Sequence, residues 1–349
     1  MRSFNYSKIK EQKWDSDVLG LIAAIYKYAG KQELYLKQKP DELEKLVEIA
    51  KIQSTKSSNA IEGIVTTNTR IRQLVEEKTT PKNRDEEEIA GYRDVLNIIH
   101  ESYEYIPITS NYILQLHKIL YSHSAKVFGG NYKNVQNYIS ATDSNGNTYT
   151  LFTPLAPYET APAIENICDE FNKAMAESEV DPLILIPIFI HDFLCIHPFL
   201  DGNGRMSRLL TTLLLYRCGY LVGKYISLEA KISKNKNLYY DALEQSQQDW
   251  HIGNDNPEAF IKYLLGIIIS AYRDFEERVD IVSNNLPAIE IIKKAIVKII
   301  GKFNKTKIIE LCPTLGVKSI ESALKKLADS DLIEKHGTGK STFYTRKNI

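Results

Sequence analysis

One stretch of this 349-residue chain, residues 183–196, is apolar on nearly every side. A helix without a polar face must be surrounded by other elements, so this stretch predicts the centre of a helical bundle. Its longest apolar run, 183–190, contains Pro187 and is followed by His191 and Asp192. The run is far shorter than the roughly 20 residues that a membrane span needs. We therefore expect a buried helix in a cytoplasmic protein without a membrane partner.

Six further segments place apolar residues three or four positions apart, which is the spacing of an amphipathic helix. They are 41–53, 86–104, 111–121, 161–176, 205–217 and 257–273. Four cysteines lie far apart along the chain and form no CxxC pair, which favours reduced thiols over a zinc site. The pattern predicts a mainly α body.

Residues 137–154 do not follow the helical pattern. They contain the pair Asn145-Gly146 between flanks that include Tyr, Ile, Thr and Phe, which is a strong signal for a β-hairpin. Because a single hairpin is marginally stable by itself, we expect it to pack on neighbouring helices and to have a function. A simple connecting loop is the alternative.

The C-terminal residues 288–349 differ in charge from the rest of the chain. They contain 13 basic and 6 acidic residues, a net charge of +7, whereas the whole chain has 44 of each kind. Isoleucine and leucine spacings predict three helices, followed by a hairpin around residues 337–339. Three helices and a hairpin resemble a winged helix, with Lys318, Lys325 and Lys326 on the solvent side of the third helix. Winged helices bind DNA or dock on other proteins, and the sequence does not decide between these two kinds of partner.

Residues 197–208, HPFLDGNGRMSR, have the composition of a phosphate site. Gly202-Asn203-Gly204 can present successive backbone N–H groups to an anion. A helix begins directly after this turn, so a phosphate would lie at a helix N-terminus. Arg205 and Arg208 are three residues apart and project from one face of the helix. A guanidinium group can donate two parallel hydrogen bonds to two oxygens of one phosphate. The segment predicts a site for nucleotide phosphates.

This segment resembles the signature of the Fic domain, HPFxDGNGRxxR. All nine specified positions are present, namely His197, Pro198, Phe199, Asp201, Gly202, Asn203, Gly204, Arg205 and Arg208. The resemblance covers roughly residues 90–275. It implies a mainly α fold, a Fic-type helical bundle with a β-hairpin flap, plus a small C-terminal winged-helix-like domain. The expected domains are a helical region at 1–89, a catalytic core at 90–281 and the winged-helix-like domain at 288–349.

The resemblance also implies an activity, the transfer of AMP from ATP to a Ser, Thr or Tyr hydroxyl of a target protein. His197 would be the general base, and Asp201 would hold Mg²⁺ or Mn²⁺. The implied nucleotide-binding residues are Gly202, Asn203, Gly204, Arg205, Met206, Ser207, Arg208 and, beside the adenine, Tyr240. A buried core tyrosine is the alternative at position 240. The flap at 137–154 would hold the target by strand addition. His117, His123, His191, His251 and His336 are assigned no role.

Upstream, residues 56–63 contain Ser58, Glu62 and Gly63 in the order of the family's inhibitory motif, [ST]xxxE[GN]. In the family this glutamate pairs with the second arginine of the signature, here Arg208, and so competes with the γ-phosphate of ATP. The alternative is an ordinary serine cap and a surface glutamate.

Two other functions stay open from the sequence. The same site could remove AMP from a modified protein, or the chain could be a DNA-binding regulator with the Fic core as a nucleotide sensor. The sequence does not identify the modified target, and a homodimer is compatible with the resemblance without being indicated by any residue pattern.

Overall fold

The computed structural model describes residues 2–38, 40–126, 128–142, 146–282, 287–297, 299–312 and 315–347. The protein is mainly helical, with two small antiparallel strand pairs, as predicted. The helices are α1 (Ser16–Gln38), α2 (Pro40–Ile61), α3 (Asn68–Val75), α4 (Arg84–Ser102), α5 (Ser110–Leu120), α6 (Pro157–Glu177), α7 (Pro182–Ile196), α8 (Asn203–Arg217), α9 (Leu228–Lys234), α10 (Lys236–Ser246), α11 (Glu258–Val282), α12 (Ala288–Val297), α13 (Lys305–Leu311) and α14 (Val317–Asp329). The strands are β1 (Ile139–Thr142), β2 (Thr148–Phe152), β3 (Ile333–His336) and β4 (Phe343–Arg346).

Helix α7 forms the centre of the bundle. Every residue from Leu183 to Ile196 is buried, and the helix packs against α6, α8 and α11. Asp181 begins it by accepting a hydrogen bond from the Leu183 N–H, and Pro182 occupies the first turn, where its missing N–H costs nothing. The prediction of a helix buried on all sides is confirmed. No helix in the described part of the chain is long and apolar enough to span a bilayer.

Helix α1 has no predicted counterpart. It packs along α11 and buries Val18 and Ile25 in the same core as α7. Gly20 and Gly30 lower the helix propensity of this segment, and tertiary packing outweighs that penalty.

Helix α2 runs eight residues beyond the predicted segment 41–53 and ends at Ile61. Gly63 then adopts φ +79°, a left-handed conformation that glycine reaches without strain. Glu62 therefore lies in the turn after the helix rather than on the helix itself. The end of α2 thus positions Glu62, and the next turn leads away towards α3.

The predicted hairpin is present as β1 and β2, which pair antiparallel with Ile139 opposite Phe152. Asn145 of the predicted turn lies outside the described residues, and Gly146 has φ +85°. Phe152 is buried and meets Trp250 edge-on, so the base of the hairpin is anchored in the core. The side chains of residues 147–150 are exposed.

The C-terminal unit has the predicted order of three helices, α12 to α14, followed by the hairpin of β3 and β4. It has its own apolar cluster, centred on Ile292, Ile308 and Leu327. Lys318, Lys325 and Lys326 are exposed on α14. Residues 283–286, between the expected catalytic core and the C-terminal unit, and Pro313 lie outside the described residues. The domain boundaries, and DNA or a protein as partner, stay predictions.

Candidate active site

His197 directly follows α7 in a left-handed backbone conformation, with φ 51° and ψ 62°. Such a conformation costs a residue other than glycine about 1–3 kcal/mol and persists only where the surroundings impose it. Here the His197 N–H donates to the Phe193 carbonyl at 2.9 Å, and the ring Nδ1 lies 3.2 Å from the Leu194 carbonyl. A ring nitrogen must carry a proton to bond a carbonyl, so the lone pair of the neutral ring is on Nε2.

Burial lowers the pKa of His197 from 6.5 to about 4. The contact with the Leu194 carbonyl opposes this shift, and the charge of Lys133 adds to it. Lys133 is itself buried, which lowers its pKa to about 8, and its ammonium donates to the Ile196 carbonyl at 3.1 Å. At neutral pH the imidazole is therefore uncharged.

Two asparagines brace the loop that connects α7 to α8. The Asn203 side chain accepts from the Phe199 N–H at 2.9 Å and donates to the Phe199 carbonyl at 2.8 Å. The Asn137 amide donates to the carbonyls of Phe199 at 3.0 Å and His197 at 3.4 Å. Asn203 thus uses both ends of its amide on the loop backbone, and Asn137 ties the base of the hairpin to His197.

His117, which the sequence analysis left without a role, lies beneath this loop. Its ring stacks on Phe199 with the centroids 3.6 Å apart. Its Nδ1 accepts from the Gly130 N–H at 3.0 Å, so Nε2 carries the proton and donates to the Asp201 carbonyl at 3.0 Å. Burial lowers the pKa of His117 to about 4, which keeps this hydrogen-bonding pattern at neutral pH. The sequence signal that could have indicated this role is the position of His117 on the apolar face of α5, beside the buried Leu116.

We expect Asn203→Ala to lower the free energy of unfolding by about 2 kcal/mol, because two buried hydrogen bonds are lost and their partners stay buried. Urea denaturation measures this loss. Asn172 is exposed and makes one side-chain bond to the Ile108 carbonyl, so Asn172→Ala is the control, with an expected loss below about 0.5 kcal/mol. Equal losses in the two variants would contradict the bracing role.

The two glycines of the turn have different constraints, since the backbone requires glycine at Gly202, whereas at Gly204 only the flexible end of the Glu62 side chain is in the way. Gly202 begins α8 with φ +85°, and a side chain there would approach the Tyr121 hydroxyl to 3.0 Å. At Gly204 a side chain would collide with Oε1 of Glu62. The first N–H groups of a helix have no acceptor within the helix, and here they belong to residues 203–205. The turn therefore offers an anion site at the start of α8.

Arg208 is buried and is held by the segment that the sequence predicts to be inhibitory. Its Nε donates to the Ser58 hydroxyl at 2.8 Å, and its Nη2 donates to the Ser58 carbonyl at 2.9 Å and to Glu62 Oε1 at 2.8 Å. Ser58 is fully buried, whereas the Glu62 side chain is 35% exposed. The end of α2 and the first turns of α8 are thus joined through one guanidinium group.

The Glu62 carboxylate lies at a position that attracts negative groups. It contacts Gly204 at the positive end of α8 and pairs with Arg208 at the same time. Both interactions favour a negative group, whether carboxylate or phosphate. Glu62 and a nucleotide phosphate would compete for this position.

Arg205 lies on the other side of the turn and is also buried. Its Nη2 is 2.8 Å from Oε2 of Glu88 and donates to the Tyr121 hydroxyl at 2.7 Å. Its Nε and Nη1 have no hydrogen-bond partner among the described residues. Neither Glu88 nor Tyr121 was predicted as a site residue, because each is distant in sequence from the motif. Arg205 retains donors for a further acceptor.

Asp201 is the carboxylate of the motif that could hold a metal ion. Its Oδ1 accepts from the Gly202 N–H at 2.7 Å, and its Oδ2 lies 2.8 Å from the Lys126 ammonium. Burial raises its pKa, but the charges of Lys126 and Arg205 outweigh burial and lower it, so the group is ionised. One carboxylate together with substrate phosphates and water is the usual environment of Mg²⁺, and Asp201 fits that role.

The remaining predicted nucleotide residues have different surroundings. Met206 points into the apolar core, and its N–H donates to the Gly202 carbonyl at 2.8 Å. The Ser207 hydroxyl donates to the Gly204 carbonyl at 2.8 Å. Tyr240 is 44% exposed beside the buried Tyr239, so it is not the core tyrosine that was considered as an alternative. Burial and the charge of Glu62 raise the pKa of Tyr240 to about 12, which keeps its hydroxyl protonated.

Residues 107–215 match the model of the Fic/DOC family. The chain is similar to "Protein adenylyltransferase Fic" of Nematostella vectensis, with 28% identity over 188 residues, and of Drosophila willistoni, with 30% identity over 167 residues. These alignments cover 51% and 47% of this chain, and 40% and 31% of the two relatives. The chain therefore matches less than half the length of these curated relatives.

Solved structures show the same fold. A Fic domain containing signaling protein from Bacteroides thetaiotaomicron VPI-5482 has a TM-score of 0.60 and 23% identity, covering 76% of this chain and 97% of that one. A Fic family protein from Desulfovibrio desulfuricans G20 has a TM-score of 0.62 and 18% identity, covering 97% of this chain and 98% of that one. The predicted Fic-type fold is confirmed.

Proposed function

We propose, from the Fic/DOC domain that this chain carries at residues 107–215, that the protein transfers AMP from ATP to a serine, threonine or tyrosine hydroxyl of a protein. The observation that supports this most strongly is the order of three features between α7 and the first turns of α8: His197 comes first, then the glycine turn, then Arg208. The curated relatives named as protein adenylyltransferases support the same reaction.

In this reaction the hydroxyl oxygen of the target attacks the α-phosphorus of ATP. The new oxygen–phosphorus bond forms as the bond between the α-phosphorus and its bridging oxygen breaks, and pyrophosphate leaves. His197 takes the hydroxyl proton on Nε2, because Nδ1 is already committed to the Leu194 carbonyl. The braced backbone of His197 fixes the direction of the ring, which in-line attack requires.

Positive charge around the turn would hold the triphosphate. Arg205 would bind the β-phosphate through its unpaired N–H groups. Arg208 would bind the γ-phosphate once the Glu62 carboxylate has left the Arg208 guanidinium. Asp201 would hold Mg²⁺ or Mn²⁺, which when bound adds positive charge beside the phosphate oxygens. Backbone N–H groups at Asn203 and Gly204 would complete the site, Gly202 would form the turn that presents them, and Ser207 would support it through its bond to Gly204.

The hairpin at 137–154 is the proposed docking surface for the target protein. Its side chains at residues 147–150 are exposed, while its base is tied to the His197 loop through Asn137. An extended target segment could add to a strand edge by backbone hydrogen bonds and so bring its hydroxyl to His197. Tyr240 would line the adenine pocket from the other side.

The reaction is tested by following which phosphate of ATP reaches protein. Glu62→Gly protein is incubated with Mg²⁺ and ATP labelled on either the α- or the γ-phosphate. We expect α-label on protein, no γ-label, and release of pyrophosphate. Label from the γ-phosphate would indicate a kinase, and no label together with no ATP binding would contradict the proposal.

The pH dependence of kcat/KM follows from the lowered pKa of His197. The free enzyme must hold His197 neutral, and that form dominates at every pH above about 4. We therefore expect kcat/KM of the Glu62→Gly enzyme to show no acidic limb from a histidine between pH about 5.5 and about 8. Steady-state rates across this range measure it. A limb near 6.5, the ordinary value for histidine, would contradict the burial of the base.

A further inference from the structure

The ammonium of Lys126 lies between two carboxylates of the site. It is 2.8 Å from Oδ2 of Asp201 and 2.9 Å from Oε1 of Glu88. It also lies 5.2 Å from the ring centroid of Tyr121 and 5.4 Å from that of Phe128. Aromatic faces attract cations, so these four groups together form a defined cradle for one positive charge.

Glu88 is the fixed part of this cradle. Its side chain is 3% exposed and pairs with Lys126, with Arg205 at 2.8 Å and with Arg84 at 3.1 Å. Burial raises the pKa of Glu88, but these cations outweigh burial and lower it. Glu88 is therefore an anion at neutral pH and anchors Lys126 next to Asp201.

The position of Lys126 matters because Asp201 has two oxygens. Oδ1 is engaged by the Gly202 N–H, so Oδ2 is the oxygen most available to a metal ion. Lys126 occupies Oδ2. A divalent cation and an ammonium cannot share one carboxylate oxygen at contact distance without strong repulsion.

We propose that Lys126 is an internal substitute for the metal ion. Its ammonium neutralises Asp201 while no divalent cation is bound, and it must leave Oδ2 before such a cation can bind. Lys126 thereby sets the metal concentration at which the site fills. This inference deepens the proposed function. It rests on that function only for the role of the metal ion in the reaction, and the competition at Asp201 does not depend on it.

The test is a titration with Mn²⁺ alone, without nucleotide, in which electron paramagnetic resonance measures the free ion. Lys126→Met keeps the apolar stem over the two rings and removes the charge. We expect its Mn²⁺ dissociation constant to be about fivefold lower than that of the unaltered protein, since one competing ion pair is worth about 1 kcal/mol. Lys126→Arg keeps a cation and should bind Mn²⁺ as weakly as the unaltered protein does.

Two controls locate the effect. Adding Asp201→Asn to Lys126→Met should abolish the gain, because the metal loses its ligand. Arg84→Met removes a cation that pairs directly with Glu88 at 3.1 Å and acts on Asp201 only through a weaker, longer-range charge interaction, so its Mn²⁺ affinity should stay within about twofold. Thermal melting checks that each variant is folded.

Unchanged or weaker Mn²⁺ binding by Lys126→Met would overturn the inference, and so would a gain that survives Asp201→Asn. The titration contains no ATP, so its result does not depend on AMP transfer. If Glu62→Gly transfers no AMP while Lys126→Met binds Mn²⁺ more tightly, the proposed function fails and the competition at Asp201 stands. The reverse pair of results rejects the competition alone.

Discussion

Glu62→Gly should raise the rate of AMP transfer to protein by about 100-fold. In the present conformation the Glu62 carboxylate occupies both Arg208 and the anion position at Gly204. In the proposed function, ATP that binds beside Glu62 would not reach Arg208 with its γ-phosphate, and its α-phosphate would be out of line with the attacking hydroxyl. Small misplacements of reacting groups cost large factors in rate. The rate of α-label incorporation, compared between the variant and the unaltered protein, measures the effect.

The substitution acts on the site and leaves the fold nearly unchanged. Glu62 lies in the turn after α2 with its side chain 35% exposed, so its removal creates no cavity in the core. Ser58 continues to hold Arg208 through its hydroxyl and carbonyl. Glu76→Gly is the matched control, since Glu76 is also exposed and directly follows a helix, α3. Equal rates in the two variants would contradict inhibition by Glu62.

His197→Ala, introduced into the Glu62→Gly protein, should lower transfer by about 1,000-fold. In the proposed reaction the imidazole takes the hydroxyl proton, so the variant loses the contribution of a positioned general base. Binding of ATP should persist, because Arg205, Arg208 and the α8 N-terminus are unchanged. Single-turnover rates and equilibrium binding of ATP separate these two quantities.

The control for this loss is His336→Ala. His336 lies on β3 in the C-terminal unit, where its ring stacks on Phe343 and contacts the Thr345 hydroxyl. The rate of this variant should equal that of the Glu62→Gly parent within about twofold. A loss below about tenfold for His197→Ala would assign the proton to another acceptor.

The sequence predicts the parts of this site that are local in the chain. The apolar stretch before His197 predicts the buried α7, and the glycine turn with two arginines predicts an anion site at the start of α8. The pairing of Glu62 with Arg208 was expected from the family resemblance, and the two groups do meet at 2.8 Å.

Contacts between distant segments that the family resemblance does not include could not be predicted. Glu88 on α4 and Lys126 after α5 reach the motif only through the packing of the bundle, and neither belongs to a local pattern. His117 was misjudged because a single histidine on a helix carries no sign of what packs against it. Its stacking on Phe199 depends on how α5 meets the loop.

The sequence also could not predict the directions in which the side chains of the motif point. Met206 and Asn203 lie within the motif. The Met206 side chain nevertheless packs in the core, and the Asn203 amide forms its hydrogen bonds with the Phe199 backbone. A linear motif shows which residues lie near the phosphates and not which of their atoms face them.

Both buried arginines of the site are paired with acidic residues of the same chain. Glu62 covers Arg208, and Glu88 holds Arg205 and, through Lys126, is linked to Asp201. Of the two glutamates, only Glu62 is partly exposed and lies in a turn, so it is the one that a ligand or a partner can displace. Opening of the site is therefore expected to begin at the end of α2.

The most direct measurement is intact-protein mass spectrometry after incubation with ATP and Mg²⁺, followed by peptide mapping of the modified residue. It compares the unaltered protein, Glu62→Gly, and Glu62→Gly combined with His197→Ala. We predict the added mass of an adenylyl group on a hydroxyl side chain of Glu62→Gly or of an added target protein, little on the unaltered protein, and none on the double variant. An unmodified Glu62→Gly protein and target, or equal modification of the double variant, would contradict AMP transfer by His197 under the restraint of Glu62.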